Sequence, residues 1–342
     1  MGVQRQDCGR LGKLANCQAG VFAGLGRGER TALVDFRLFL PQEWAEDGAR
    51  CQRVKIPEAE RLHRPKPQLA LALAKAARAR GLGHQWVGGD EGYGNNREPT
   101  DALDDLGETD LMDVASNLAV WANDPRPAPP PPSPHGRPAK RPKPQSTDAR
   151  TPSVSALTAA HFAKEHRQTT LREPTTGPLR AAIWVRPVWL WNERAESAAR
   201  ARLLVVRREA DGRFKYSLTN APAGTPWERL GWRQAQRFFI ERAFQDARSE
   251  LGMAQYEMRG WRGWHHHITL CCMALIFTLK ERIAARDHPP LLSVRDIVEL
   301  LARYLSCKTR DPDQILATRQ ARHTARAASL RAASRRRVAL TK

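Results

Sequence analysis

The sequence predicts an α/β fold, and three observations carry the prediction. Two short apolar runs near the start are joined by a Gly-Arg-Gly turn. An Ala/Leu-rich helical run then leads into another apolar strand. The second half carries β-rich runs followed by long helical stretches.

The first strand candidates are Cys17 to Leu25 and Thr31 to Leu40, the latter with Leu33, Val34, Phe36, Leu38 and Phe39. Gly26, Arg27 and Gly28 between them suit a hairpin. Pro67 fits a first helical position, Gln68 to Arg80 continues the helix, and Gly81 stops it. His84 to Asp90 reads as a strand that ends abruptly in GGDEGYGNN. From Pro125 to Pro144 the chain holds 10 of its 24 prolines, interleaved with Arg137, Lys140, Arg141 and Lys143. That composition predicts a stiff, extended basic connector.

Three β-rich runs follow: AAIWVRPVWLW, ARLLVVRRE and RFKYSLTN, with a hairpin signal at Asp211-Gly212. They predict a small antiparallel sheet. Residues 232–250 contain no Gly or Pro and predict one helix, and a second, very apolar helix is expected from about His267 to Ile283. Beyond Cys307 there are ten Lys and Arg against two acids, which predicts a basic tail, helical or disordered. The expected divisions are 1–123, a partial core; 124–150, the linker; 151–225, a β-rich insertion; 226–290, a helical region bearing a candidate acid; and 291–342, the tail.

Charge narrows the partners. Fifty-six Lys and Arg against 36 Asp and Glu leave a formal +20. Such a surplus favours polyanions, because binding phosphates releases condensed counterions. The longest apolar run, Ile268 to Leu279, is too short to cross a bilayer. No secretory signal opens the chain, and six cysteines without CxxC spacing read as reduced thiols, so a cytoplasmic protein with no membrane partner is expected.

Two acids stand out. Asp90 lies where a strand ends and the backbone turns at glycines, the usual edge for sites in open α/β sheets; a plain turn-starting Asp is the alternative. Arg237, Glu241 and Arg248 fall at i, i+4 and i+11. At about 100° per residue these return to within roughly 40° of one helix face. That stripe reads either as a surface salt-bridge ladder or as a metal-binding acid between two phosphate-gripping arginines. His265, His266 and His267 point in different directions on a helix, which argues against a metal cluster. Trp261 and Trp264 could stack on an unpaired base, but core packing is the simpler reading.

The string RFFIERAFQDARSELGMAQYEMRGWRGWHHH resembles the C-terminal catalytic helix region of bacterial insertion-sequence transposases of the DDE, ribonuclease-H-like superfamily. Their pattern there is Tyr, two residues, Arg, three residues, Glu, six residues, Lys. Arg237, Glu241 and Arg248 stand at the last three places, while Gln234 replaces Tyr and Arg248 replaces Lys. WVGGDEGYGNN is similar to the segment holding the second catalytic Asp, which maps to Asp90. GVQRQDCGRLGKLANCQAGVFAGL and LMDVASNLAVW also look familial.

The resemblance implies a ribonuclease-H-like core with a β-rich insertion before the Glu. Asp90 and Glu241 would be catalytic and metal-binding, and Arg237 and Arg248 would contact DNA phosphates. Two Mg²⁺ ions would support strand cleavage and strand transfer. The partners implied are double-stranded DNA, as transposon ends and target, and a second copy of the chain as an open alternative. No residue matches the family's first catalytic Asp: Asp7 falls at a place usually aromatic, and nothing gives Asp35 a metal role. The chain is therefore expected to lack the family's N-terminal part, with its core truncated at the first strand, and to bind DNA with little or no strand transfer. A catalytically inactive DNA-binding remnant is the alternative to an active transposase. A basic scaffold presenting its proline-rich segment is a third, weaker reading.

Overall fold

The computed structural model describes residues 1–8, 12–28, 30–129, 141–145, 151–172, 179–192, 198–257, 259–285, 293–306, 316 and 319–328. The strands are β1 (Gln4–Cys8), β2 (Lys13–Cys17), β3 (Gly20–Arg27), β4 (Arg30–Leu38), β5 (Val87–Gly89), β6 (Asp110–Asp113), β7 (Arg167–Arg172), β8 (Leu179–Leu190), β9 (Arg200–Arg208) and β10 (Phe214–Thr219). The helices are α1 (Gln42–Glu46), α2 (Gly48–Arg53), α3 (Lys66–Ala79), α4 (Glu91–Gly94), α5 (Arg97–Asp105), α6 (Val154–Glu165), α7 (Trp227–Ala235), α8 (Arg237–Ser249), α9 (Trp261–Ala284) and α10 (Val294–Ser306). The class is mixed α/β. Contacts divide the chain into two units, one of residues 1–69 with 238–342 and one of residues 70–237.

In the first unit, β1 pairs antiparallel with β2, and β3 with β4. The second hairpin joins the two expected apolar runs, but with other bounds: Cys17 belongs to β2, and Gly26 and Arg27 pair with Thr31 and Arg30 inside the ladder, so the chain turns only after Arg27. The first had no apolar alternation to announce it, because β1 is built from Gln, Arg, Asp and Cys. Leu33 is fully buried, and Phe22 and Phe36 lie beside it in one cluster. Phe244 of α8 meets Phe22 edge-on at 5.2 Å between ring centroids, and Trp264 of α9 meets Phe36 at 5.4 Å. Trp264 is core, as the simpler reading held. Full burial of a side chain such as Leu33 contributes about 1.5–3 kcal/mol.

The second unit is built on one six-stranded sheet in the order β5-β6-β10-β9-β8-β7. β5 and β6 run parallel, and every other neighbour is antiparallel. The three β-rich runs do pair antiparallel as their turns imply. They do not stand as a sheet of their own, because β10 also pairs with β6. Successive side chains alternate faces along a strand. Ala182, Trp184, Leu204 and Val206 enter the cluster that holds Val154, Leu157 and Phe162 of α6. Ala181, Ile183, Leu203 and Val205 enter the cluster that holds Leu230 and Ala235 of α7. Burial on both faces explains the unbroken apolar run Leu203–Val206 at the centre of β9. α7 lies so close to β8 that a Cβ on Gly231 would collide with Ile183 Cδ1.

Two further expectations need correction. The single helix over 232–250 is two helices: α7 begins at Trp227 and ends at Ala235, and α8 begins at Arg237. The Gln236 N–H bonds to Arg233 O at 3.1 Å, a tightened last turn that closes α7. The two helices serve different cores, Leu230 and Ala235 in one, Ala243 and Phe244 in the other. The strand over 84–90 is also shorter. β5 pairs only where β6 exists, and Val87 already faces Asp110, the first residue of β6.

Residues 130–140 of the proline-rich segment lie outside the described residues. Its described ends pair with each other, Ala128 and Lys143 exchanging hydrogen bonds of 3.1 and 2.9 Å. Most of the basic tail also lies outside them. Residues 319–328 are helical, with Arg322 paired to Glu299 and Arg326 to Asp296. No described helix is long and apolar enough to cross a membrane. The five described cysteines form no disulfide.

Candidate active site at the carboxyl ends of two parallel strands

Asp90 follows β5 directly and is half-buried. Its backbone is extended, and its carboxylate accepts the Gly92 N–H at 2.9 Å, capping α4. The glycine-rich stretch after it is therefore a short helix rather than an open turn. Tyr93, one turn along, has its phenol pushed up to about 12, chiefly by burial and then by the Asp90 charge. It stays protonated at neutral pH.

Because Gly89 faces Met112 in the parallel register, the next residue of each strand is an aspartate, Asp90 after β5 and Asp113 closing β6. Both occupy the carboxyl ends of adjacent parallel strands, where the loops of α/β sheets place chemistry. Gly94 keeps α4 close to this edge, since a Cβ there would strike the Asp113 carbonyl. Sequence reasoning missed Asp113. Its signal was present in LMDVASNLAVW, but a four-residue strand has too few alternating positions to announce itself.

Both oxygens of the Asp113 carboxylate accept a hydrogen bond. Oδ1 accepts the Ser217 hydroxyl at 2.6 Å and Oδ2 accepts Arg237 Nη1 at 2.5 Å. Ser217 lies in β10 with no exposure, and accepts the Gln234 Nε2 amide at 2.8 Å. Gln234, the residue at the family's Tyr position, is itself buried. Arg237 is thus tied to an aspartate of β6.

Glu241 and Arg248 lie on α8 in the first unit, both exposed. Arg248 Nε donates to Phe244 O at 3.1 Å, with the guanidinium over the Phe244 ring. Asp246 of the same helix pairs with Arg242 at 3.2 Å, and burial pushes its carboxyl up despite the charges of Arg242 and Arg282. Asp35 pairs with Arg37 at 2.8 Å within β4. The three histidines diverge: His265 bonds to Trp261 O, His267 lies 3.7 Å from Cys271 Sγ, and His266 is exposed. Burial pulls the His265 imidazole below its usual value.

Carboxylate oxygens are the donor class that hard divalent ions take. Among the described residues, however, no group of three or more His, Cys, Asp or Glu stands together as a ligand set. Asp113, the nearest carboxylate by register, is committed to Ser217 and Arg237.

The site is thus an aspartate at the end of a parallel strand in a mixed α/β sheet, on a chain with a formal +20 charge. The family of DDE superfamily endonucleases matches residues 1–178, more than half of the chain, and the chain belongs to that family. Enzymes of this superfamily generally use divalent metal ions. No curated protein matches the chain.

Proposed function

We propose that the protein is a transposase-type nuclease of an insertion sequence, acting on double-stranded DNA with Mg²⁺. In this reading its core is ribonuclease-H-like, Asp90 and Glu241 are its catalytic, metal-holding carboxylates, and Arg237 and Arg248 contact DNA phosphates. The observation that carries the reading is the placement of Asp90 at the carboxyl end of β5, held there by its bond to Gly92. Bound Mg²⁺ would supply Lewis-acid stabilisation of charge on the phosphoryl oxygens. The guanidinium groups supply fixed, permanently charged donors that suit phosphate.

A second reading is DNA binding without strand cleavage. It is favoured by Asp113, whose negative charge is paired with the Arg237 guanidinium and so attracts a metal cation less. One experiment separates the two. The full chain is incubated with plasmid DNA with and without Mg²⁺, beside Asp90→Asn and Glu241→Gln. Nicking that needs Mg²⁺ and disappears in both variants supports the nuclease. Salt-sensitive binding without nicking supports the second reading, and the absence of any DNA binding removes both.

A further inference from the structure

We propose that Asp113 is a positioning residue that orients Arg237 toward DNA phosphate, at the end of a hydrogen-bonded relay running Gln234, Ser217, Asp113, Arg237. The inference rests on the assignment of Arg237 as a phosphate contact.

Directions along the relay are fixed by chemistry. A guanidinium has only donors and an ionised carboxylate only acceptors. Asp113 Oδ2 therefore accepts from Arg237 Nη1, and Oδ1 accepts the single Ser217 hydroxyl proton. Ser217 Oγ, having given its proton away, accepts from Gln234 Nε2 at 2.8 Å. Each link leaves the next one donor or one acceptor, so the carboxylate is held from behind in one orientation. Ser217 and Gln234 are buried, which keeps water from replacing either bond. The 2.6 Å contact from the Ser217 hydroxyl is in the range of a charge-assisted O–H···O⁻ bond.

The consequence is pre-organisation. A long arginine side chain ordinarily loses rotamer freedom when it grips a ligand. Here that freedom is given up on folding, because Asp113 already holds one Nη. A guanidinium offers five N–H donors, so an ion pair with Asp113 and a bond to phosphate are compatible. The held side chain stands at the carboxyl end of β6, beside the strand that ends at Asp90. Gln234 and Arg237 belong to the helical pattern recognisable in the sequence. Asp113 and Ser217 come from strands that carry no such pattern, and only the fold recruits them.

The charge arithmetic makes the idea testable by sign. Asp113→Asn removes a negative charge, so long-range electrostatics alone predicts tighter binding to DNA. Positioning predicts the opposite. The experiment measures binding of the full chain to a mixed-sequence DNA duplex across a salt series, for wild type, Asp113→Asn, Arg237→Gln, the double variant and Ser217→Ala. Thermal unfolding of each accompanies it.

We expect Arg237→Gln to weaken binding about threefold to tenfold and to lower the salt slope by about 0.9. Asp113→Asn should reproduce both changes, and the double variant should be no worse than Arg237→Gln. Ser217→Ala, which leaves the charges intact, should give a smaller loss in the same direction. Unchanged or tighter binding by Asp113→Asn, with Arg237→Gln weakened, overturns the positioning role and leaves the phosphate contact standing. Weaker binding by Asp113→Asn at an unchanged salt slope is a structural effect and overturns it also. If Arg237→Gln changes nothing, the phosphate assignment itself falls. Should Asp113→Asn fail to fold, Ser217→Ala decides, and wild-type affinity and slope in that variant overturn the role.

Discussion

The Asp90 carboxylate accepts the backbone N–H of Gly92 at 2.9 Å, so the residue proposed for chemistry is also the cap of α4. The two roles can be separated. Asp90→Asn keeps an oxygen for the cap, whereas Asp90→Ala removes it. Both variants should lose Mg²⁺-dependent cleavage, and only Asp90→Ala should also lose about 1 kcal/mol of stability in urea unfolding. Equal stability losses in the two would show that the cap is not what the carboxylate contributes.

Glu241 is exposed on α8. Surface substitutions of that kind shift stability by less than about 0.5 kcal/mol. Glu241→Gln should therefore unfold like the wild type while abolishing cleavage. Cleavage that survives in Glu241→Gln would remove this residue from the proposed site.

Asp110, at the opposite end of β6 from Asp113, should make stability depend on pH. Its carboxyl is pushed up to about 6, first by burial and against the pull of Arg202 and the Asn220 N–H. A carboxyl raised in the folded state binds its proton more tightly folded than unfolded. Its contribution is thus fully present below the unfolded value near 3.8 and is lost as pH rises through about 6. The loss should amount to roughly 2–3 kcal/mol. Asp110→Asn keeps the acceptor for Asn220 and should flatten the stability profile between those values. An unchanged profile would place the titration elsewhere.

Arg202 is the buried member of a charge network in the same unit. Its side chain is 3% exposed and meets Asp104 at 3.0 Å and Asp101 at 3.7 Å. Burial pushes the Asp104 carboxyl up, but the Asn220 amide and the charges of Arg202 and Arg200 outweigh it and hold it below its usual value. Arg202→Ala removes the buried cation while Arg200 still pairs with Asp101 and Asp104 and Arg97 with Asp101, so it should cost about 1–3 kcal/mol in urea unfolding. A cost below about 1 kcal/mol, the level of an exposed pair, would mean that water takes its place.

Local patterns made a good part of the fold legible. The β3–β4 hairpin announced itself by apolar runs around a glycine turn, and α3 by a proline start and a glycine stop. The runs that became β8, β9 and β10 were visible because β-branched and aromatic residues crowd them. β1, β2, β6 and α4 were not legible. β1 is largely polar, β2 has only five residues with no apolar alternation, and the last two have four residues each, so neither alternation nor helical period can build up.

The sequence by itself determined the polyanion-seeking charge, the strands and helices with strong periodicity, and the place of Asp90 at the end of one of them. The charge follows from composition alone, and the other two from neighbours within a few positions. Only the tertiary structure decided that β10, β9 and β8 extend the sheet of β5 and β6, that the 232–250 segment breaks at Gln236, and that Arg237 bonds to Asp113. Arg237 and Asp113 lie 124 positions apart, and Ser217 and Asp113 lie 104 apart. Pairings at such separations leave no periodic trace along the chain. They are selected only when strands from distant segments enter one sheet and a buried hydroxyl or carboxylate must find its partner there.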